Sequence, residues 1–514
     1  MRISRKKLVL LVIVSSVALL NAGGNKASAE IRLPHLLSDH AVLQRGGPIH
    51  IWGWNTPKAS LTIRFHDQNI SATSNKYGEW SAWLMPEQAG GPYSLIVDGG
   101  RTDGKKEVTD LLVGDVWIAS GQSNMQMPLK GFLPGAPVKD SAREIAAASI
   151  PLLRLLKVGN GSSDIPQQDI GGGTWAVSSP KTAANFSAAA YFFGREIVAK
   201  ENVPVGMIDS TVGGTPAEAW VSLDTLSSNP DLSYATHLYS DFTKTVSHLN
   251  AQIAAEKAED EAATAAGRPK PQHEWHPNAA EMAPAGLYNA MIAPLAQAFV
   301  RGFLWYQGET EANEVRGPHY SKMLPALIQD WRTHFHQGDL PFLIVQIAGR
   351  TGRGGGWGIV RDAERRTLSL RNTAMAVTRD VAERDNSHPA DKQTVGERLA
   401  LAARGLVYGE KIPYASPLFR EATTQPGGLR VWFDNADGLT ANGKPLEGFE
   451  LAGEDHHFVP ATAKIENDTV VVTATGLDNP VYVRYAWSDF APFSLYNSAG
   501  LPASTFSSEE IPVI

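Results

Sequence analysis

The hydrophobic pattern changes twice along the chain. Between residues 30 and about 110, apolar and polar positions alternate in short runs such as Ile49-His50-Ile51-Trp52-Gly53-Trp54 and Leu61-Thr62-Ile63-Arg64-Phe65. Successive side chains of a strand point to opposite faces, so this alternation predicts an antiparallel sheet with one wet face. Gly46-Gly47-Pro48 and Gly99-Gly100 separate the runs as turns. After Leu111, continuous apolar runs at Asp115–Ser120, Val205–Ser210, Gly302–Gln307, Pro341–Ala348 and Thr373–Asp380 read as buried strands. Helical patterns lie between or after them at Ser187–Lys200, Asn289–Phe299, Tyr320–His334 and Lys392–Leu406. Buried strands joined by crossover helices predict an α/β domain with a parallel sheet. From about Ile412 the strand pattern returns at Gly428–Phe433, Thr469–Thr473 and Val481–Ala486, broken by Asp-Gly and Asn-Gly turns.

These changes divide the chain into an N-terminal β-region (30–110), a central α/β domain (111–410) and a C-terminal β-region (411–514). Within the centre, Ala251–Gly267 is rich in Ala and Glu and is followed by Arg-Pro-Lys-Pro. It predicts an exposed helical insertion over about 245–275, to which no chemistry is assigned. No internal repeat with a fixed period is visible.

The first 29 residues change what the rest means. Arg2, Arg5, Lys6 and Lys7 precede an apolar run, Leu8 to Leu20, and Ala27-Ser28-Ala29 forms a small-residue cleavage signal before Glu30. That is the pattern of a secretory leader, and its apolar run is shorter than the ~20 residues that span a bilayer. The expected mature protein is exported, periplasmic or extracellular, with no membrane attachment. The leader holds five cations (Arg2, Arg5, Lys6, Lys7, Lys26) and no acid, so its removal takes the formal charge from −7 to −12. An acidic surface offers no phosphate footprint, which argues against a nucleic-acid partner. The chain has no cysteine, which excludes disulfides, thiol catalysis and a lipidated N-terminal Cys. With 43% hydrophobic and 19% charged residues, the chain is globular.

Four segments that could carry chemistry fall at the ends of expected parallel strands. A serine hydroxyl is inert at neutral pH unless a base takes its proton. Ser123, in Gly121-Gln122-Ser123-Asn124-Met125, follows strand Asp115–Ser120 at the edge where open α/β sheets bind ligands. The Gly-x-Ser-x-Gly elbow is not met, because position 125 is Met. His388 in Asp385-Asn386-Ser387-His388-Pro389 is the candidate base, with Asp385 or Asp380 to hold its tautomer. Val212-Gly213-Gly214-Thr215 offers main-chain N–H groups unobstructed by side chains, suited to a developing oxyanion. In Trp305-Tyr306-Gln307-Gly308-Glu309, the Gln307 amide is a further oxyanion donor and Trp305 a stacking surface for a sugar. His273-Glu274-Trp275-His276 is not the His-Glu-x-x-His zinc motif.

The blocks Gly114–Met125, Gly213–Trp220, Trp305–Thr310 and His388–Ala400 closely resemble the sialate O-acetylesterase family of SGNH hydrolases. Shorter matches at Leu36–Gln44, Leu287–Ile292 and Leu495–Ala503 extend the resemblance over nearly the whole mature chain. The resemblance implies a flavodoxin-like three-layer α/β/α domain flanked by small β-domains, and a serine esterase that removes acetyl groups from carbohydrate. It implies Ser123 as nucleophile, His388 as base and Asp385 as orienting acid, with Ser123, Gly214 (or Gly213) and Gln307 at the oxyanion and no cofactor or metal. A departure lies at Arg379-Asp380, Glu383 and Arg384, where the family implies a more neutral loop before the acid. A sialate carboxylate would call for an Arg fork, for which Arg350 and Arg353 are candidates. Acetylated xylan and xyloglucan oligosaccharides compete as substrates, and a non-catalytic carbohydrate-binding protein is the alternative of another class. Oligomeric state is not read from the sequence.

Overall fold

The computed structural model describes residues 30–510 apart from 133–136, 247–248, 272, 274–275 and 353–354. The expected leader and Arg353 therefore lie outside the described residues. The strands, in chain order, are β1 (Val42–Gln44), β2 (Ile49–Trp54), β3 (Ser60–Phe65), β4 (Gln68–Thr73), β5 (Glu79–Leu84), β6 (Gly90–Asp98) and β7 (Lys105–Gly121). There follow β8 (Ile150–Lys157), β9 (Ala176–Ser178), β10 (Val205–Thr211), β11 (Gly302–Tyr306), β12 (Phe342–Gln346) and β13 (Thr373–Val377).

The central sheet runs β13-β12-β11-β7-β10-β8-β9. All its pairings are parallel except that of the edge strand β9. The chain adds β10 and β8 on one side of β7, then β11, β12 and β13 on the other. That reversal puts a ligand crevice at the carboxyl end of β7. The register makes the rim level there, since Thr211 of β10 and Tyr306 of β11 both pair with Gly121. Helices Ala188–Glu201 and Lys392–Leu406 pack together as one pair, and Gly317–Phe335 and Trp357–Thr367 as another.

Strand β7 also crosses the boundary at residue 110. Its first half pairs with β6 and β1, and its second half with β10 and β11. One apolar core accordingly runs from Ile31 to Ala403 without a break between the N-terminal sheet and the central domain. The C-terminal region has a core of its own, formed where two four-stranded antiparallel sheets bring Leu429, Val431 and Val470 against Phe449, Val483 and Phe506.

One expectation is corrected. The helix expected over Asn289–Phe299 is a π turn (Tyr288–Ile292) followed by a 3₁₀ turn (Ala293–Gln297). Pro294 falls at the junction, where it has no N–H to donate to a continuing α-helix. Helix Trp357–Thr367 was not expected, because its buried Arg361, Asp362 and Glu364 disguise the apolar face. The exposed insertion is a helix, Asn250–Ala265, to which His273 and His276 attach through Asp260 and Glu256. Among the described residues no helix is long and apolar enough to cross a membrane.

Candidate active site

Strand β7 ends at Gly121 with φ +130°, and a Cβ there would lie 2.2 Å from the Tyr306 carbonyl. Only glycine fits so close to β11, and the sharp exit it allows leads into the helical turn Ser123–Gln126. Ser123 opens that turn, half-buried, at the rim of the sheet. His388 arrives from the loop after β13, and its Nε2 lies 2.8 Å from Ser123 Oγ. The edge of Phe132 meets the imidazole with ring centroids 5.2 Å apart.

The loop after β10 closes over the serine. A Cβ on Gly213 would stand 3.4 Å from Ser123 Cβ and 2.8 Å from Gln126 Oε1, so the absence of a side chain permits the approach. Gly214 has φ +75°. Among the described residues, the main-chain N–H groups of Ser123, Gly213 and Gly214 make no hydrogen bond. All three residues line a cleft of about 720 Å³, together with His388, Gln122 and Glu309 and an apolar wall of Phe132, Met282 and Trp357.

Beneath the serine lies a buried polar cluster. Asn124 Nδ2 donates to Glu309 Oε1 at 2.5 Å and to the Ser387 carbonyl at 2.8 Å. Asn124 Oδ1 accepts from Lys392 Nζ at 2.5 Å. One amide therefore ties the nucleophile turn to the end of β11, to the residue before His388 and to the start of helix Lys392–Leu406. Lys392 is fully buried, and burial lowers its ammonium to about 7 while raising the Glu309 carboxyl. Nothing in the sequence patterns singled out Asn124, Glu309, Lys392, Phe132 or Trp357. The first three sit inside the resembling blocks, which was the only signal available.

Other expected residues are elsewhere. Gln307 is fully buried, and its amide nitrogen is taken up by the Glu311 carboxylate and by the Thr215 carbonyl at 3.2 Å. Its Oε1 accepts from Tyr320 OH at 2.9 Å, so it braces the Gly213–Thr215 loop from below and does not face the cleft. Trp305 is core, set edge-on to Trp220 and Trp331, with its indole N–H on Tyr320 OH. The Arg350 side chain is not part of the cleft lining, and its main-chain N–H meets the Asp489 carbonyl at 3.2 Å.

Neither orienting candidate is joined to His388. Asp385 is exposed and accepts from Thr351 Oγ1 at 2.6 Å. Asp380 is held by a fork of two 2.6 Å bonds from Arg398. The reason for the first is local: Asn386 folds onto the main chain of His388, accepting from its N–H and donating to its carbonyl, both at 2.9 Å. That turn leaves Asp385 pointing to Thr351.

Comparison with known proteins bears on what the cleft does. A family profile described as carbohydrate esterase, sialic acid-specific acetylesterase, matches residues 263–404. The mouse sialate O-acetylesterase is 27% identical over 550 residues, covering 97% of each chain. The human protein of the same name is 28% identical over 533 residues, covering 93% of each. The crystal structure of XAC1771, a carbohydrate acetylesterase from Xanthomonas citri, is 34% identical and superposes with a TM-score of 0.80. That match covers 94% of this chain and all of the other.

Proposed function

The chain belongs to the sialate O-acetylesterase family of carbohydrate esterases, and on that premise we propose that it is an exported SGNH-type hydrolase with Ser123 as nucleophile and His388 as its base. As a member, it is a carboxylic ester hydrolase acting on O-acetylated carbohydrate. The observation that carries the residue assignment is the 2.8 Å contact between Ser123 Oγ and His388 Nε2 in the cleft. His388 takes the serine proton as Oγ attacks the acetyl carbonyl. The main-chain N–H groups of Ser123 and Gly214, or Gly213 beside it, receive the tetrahedral oxyanion. The sugar alcohol leaves with the proton from His388, and water then releases acetate from the acetyl-enzyme.

The Ser123→Ala protein is expected to fold normally and to lose nearly all turnover of a nitrophenyl acetate. Substantial remaining turnover, or a fluorophosphonate probe that labels another serine, would remove Ser123 from the role.

A second reading concerns the sugar. Among the described residues lining the cleft, Glu309 is the charged one and no Lys or Arg is present. The Glu309 carboxylate in the cleft favours a neutral acetylated saccharide of the xylan or xyloglucan kind over a carboxylate-bearing sialate. Acetate release from acetylated sialic acids, xylan and xyloglucan oligosaccharides decides between them. Faster release from the sialate would reverse the preference.

A further inference from the structure

The N-terminal sheet carries a surface that the esterase reaction does not use. Strands β2 and β5 form a two-stranded ribbon in which His50 pairs with Trp83, Trp52 with Ser81 and Trp54 with Glu79. Side chains alternate along strands, so these six residues share one face of the ribbon. Trp83 is 52% exposed, a large apolar ring left open to water. It is held flat by His50, with ring centroids 4.2 Å apart and planes 12° apart, and His50 in turn stacks on Trp52 at 4.8 Å. The imidazole is itself fixed by Ser81 Oγ at 2.9 Å and the Gln297 carbonyl at 2.8 Å. Trp83 is therefore a rigid platform with a backed inner face.

From this platform the same face runs down to a groove of about 350 Å³, whose walls include Trp52, Trp54, Glu79, Ser81, Gln168 and Gln297. Trp54 is backed by the Arg32 guanidinium at 4.0 Å. Glu79 is oriented by two amides, accepting from Gln168 at 2.9 Å and from Asn75 at 2.8 Å. The indole N–H groups of Trp52 and Trp80, both 4% exposed and both in groove-lining residues, have no hydrogen-bond partner. Gln297 lies just before β11, so the groove is at the amino edge of the sheet and Ser123 is at the carboxyl edge.

Flat rings alternating with oriented amides and a carboxylate are the chemistry that recognises a sugar, whose ring has an apolar face and a rim of hydroxyls. We propose that this face of the β2–β5 ribbon is a second carbohydrate site, separate from the cleft, that stacks a neutral saccharide chain on Trp83 and Trp54 and binds its hydroxyls through Glu79, Gln168 and Ser81. The choice of carbohydrate rests on the esterase reading, and the site itself rests on the ribbon. A neutral saccharide fits because, among the described residues lining the groove, Glu79 is the charged one, and its carboxylate disfavours an anionic glycan. From Trp83 to Glu79 the strand rises about 13 Å, the span of a short oligosaccharide.

Affinity electrophoresis of the full chain through gels containing xyloglucan, arabinoxylan or polysialic acid tests this. The wild-type protein is expected to be retarded by a neutral polysaccharide. Trp83→Ala and Trp54→Ala are expected to weaken that retardation by about tenfold in apparent affinity, an aromatic contact's worth. Nitrophenyl acetate hydrolysis should be unchanged in both variants. Trp83 is exposed, so its variant folds even if the other does not. Unaltered retardation of Trp83→Ala, retardation by polysialic acid alone, or no retardation of the wild type would each overturn the proposal. Retardation needs no turnover, so a protein that binds but does not hydrolyse would sink the esterase assignment and leave this site standing.

Discussion

Asn124 is the residue on which the geometry of the cleft depends most directly. It touches neither Ser123 Oγ nor the imidazole, yet it fixes the backbone on which both are carried, through Ser387 on one side and its own place in the nucleophile turn on the other. Displacing reacting groups by an ångström costs about a hundredfold in rate. Asn124→Ala is therefore expected to lower kcat by roughly tenfold to a hundredfold and to leave KM nearly unchanged, as steady-state kinetics on a nitrophenyl acetate will show. An effect confined to KM would mean that Asn124 shapes binding and not the Ser123–His388 pair. Asp385 is the contrasting case. An acid that orients a catalytic histidine costs about 10⁴ in kcat when changed to its amide. Because Asp385 meets Thr351 in the structure, Asp385→Asn is expected to cost less than tenfold, and a loss near the larger figure would show that the carboxylate turns to His388 during turnover.

At the scale of elements, strand ends were legible and side-chain directions were not. Asp115–Ser120, Val205–Ser210 and Gly302–Gln307 are apolar and uninterrupted, so period and length alone placed Ser123, Gly213 and the segment around Gln307 on one rim. A period says nothing about whether a polar residue at a strand end turns out to the cleft or back beneath a loop. Gln307 turned back because Glu311, Thr215 and Tyr320 satisfy its amide from below, and none of them is near it in the strand pattern. Asp385 meets Thr351 for a similar reason, since the Asn386 turn is a matter of local hydrogen bonding and not of spacing. Removing the Gln307 amide takes a donor from the buried Glu311 carboxylate and from the Thr215 carbonyl, and each such group costs about 1–3 kcal/mol. Gln307→Ala is thus expected to lower the melting temperature in calorimetry, with kcat falling only as far as the Gly213–Thr215 loop loosens. A large loss of kcat at unchanged stability would restore Gln307 to the oxyanion.

Across the whole molecule, the C-terminal region holds one wall of the cleft although none of its described residues lines it. Trp357 stands at the start of a helix whose Arg361, fully buried, donates to the carbonyls of Ala486, Trp487 and Ser488, the last at 2.7 Å. The segment before Trp357 leans on the same turn, with the Arg350 N–H on the Asp489 carbonyl and the Gly355 N–H on its carboxylate. Gly358 packs against Trp487, where a Cβ would come within 2.3 Å of its carbonyl. The C-terminal sheets therefore set the position of Trp357 relative to Ser123, and the planar guanidinium that does it has several donors in a fixed fork. A lysine at 361 reaches fewer of those carbonyls and leaves the rest buried without donors. Arg361→Lys is expected to lower the melting temperature and to reduce kcat/KM for an acetylated oligosaccharide more than for a small aryl acetate, because the oligosaccharide must rest on the Trp357 wall. Equal losses on the two substrates would place the effect on Ser123 and His388 instead, and would uncouple the C-terminal region from sugar recognition.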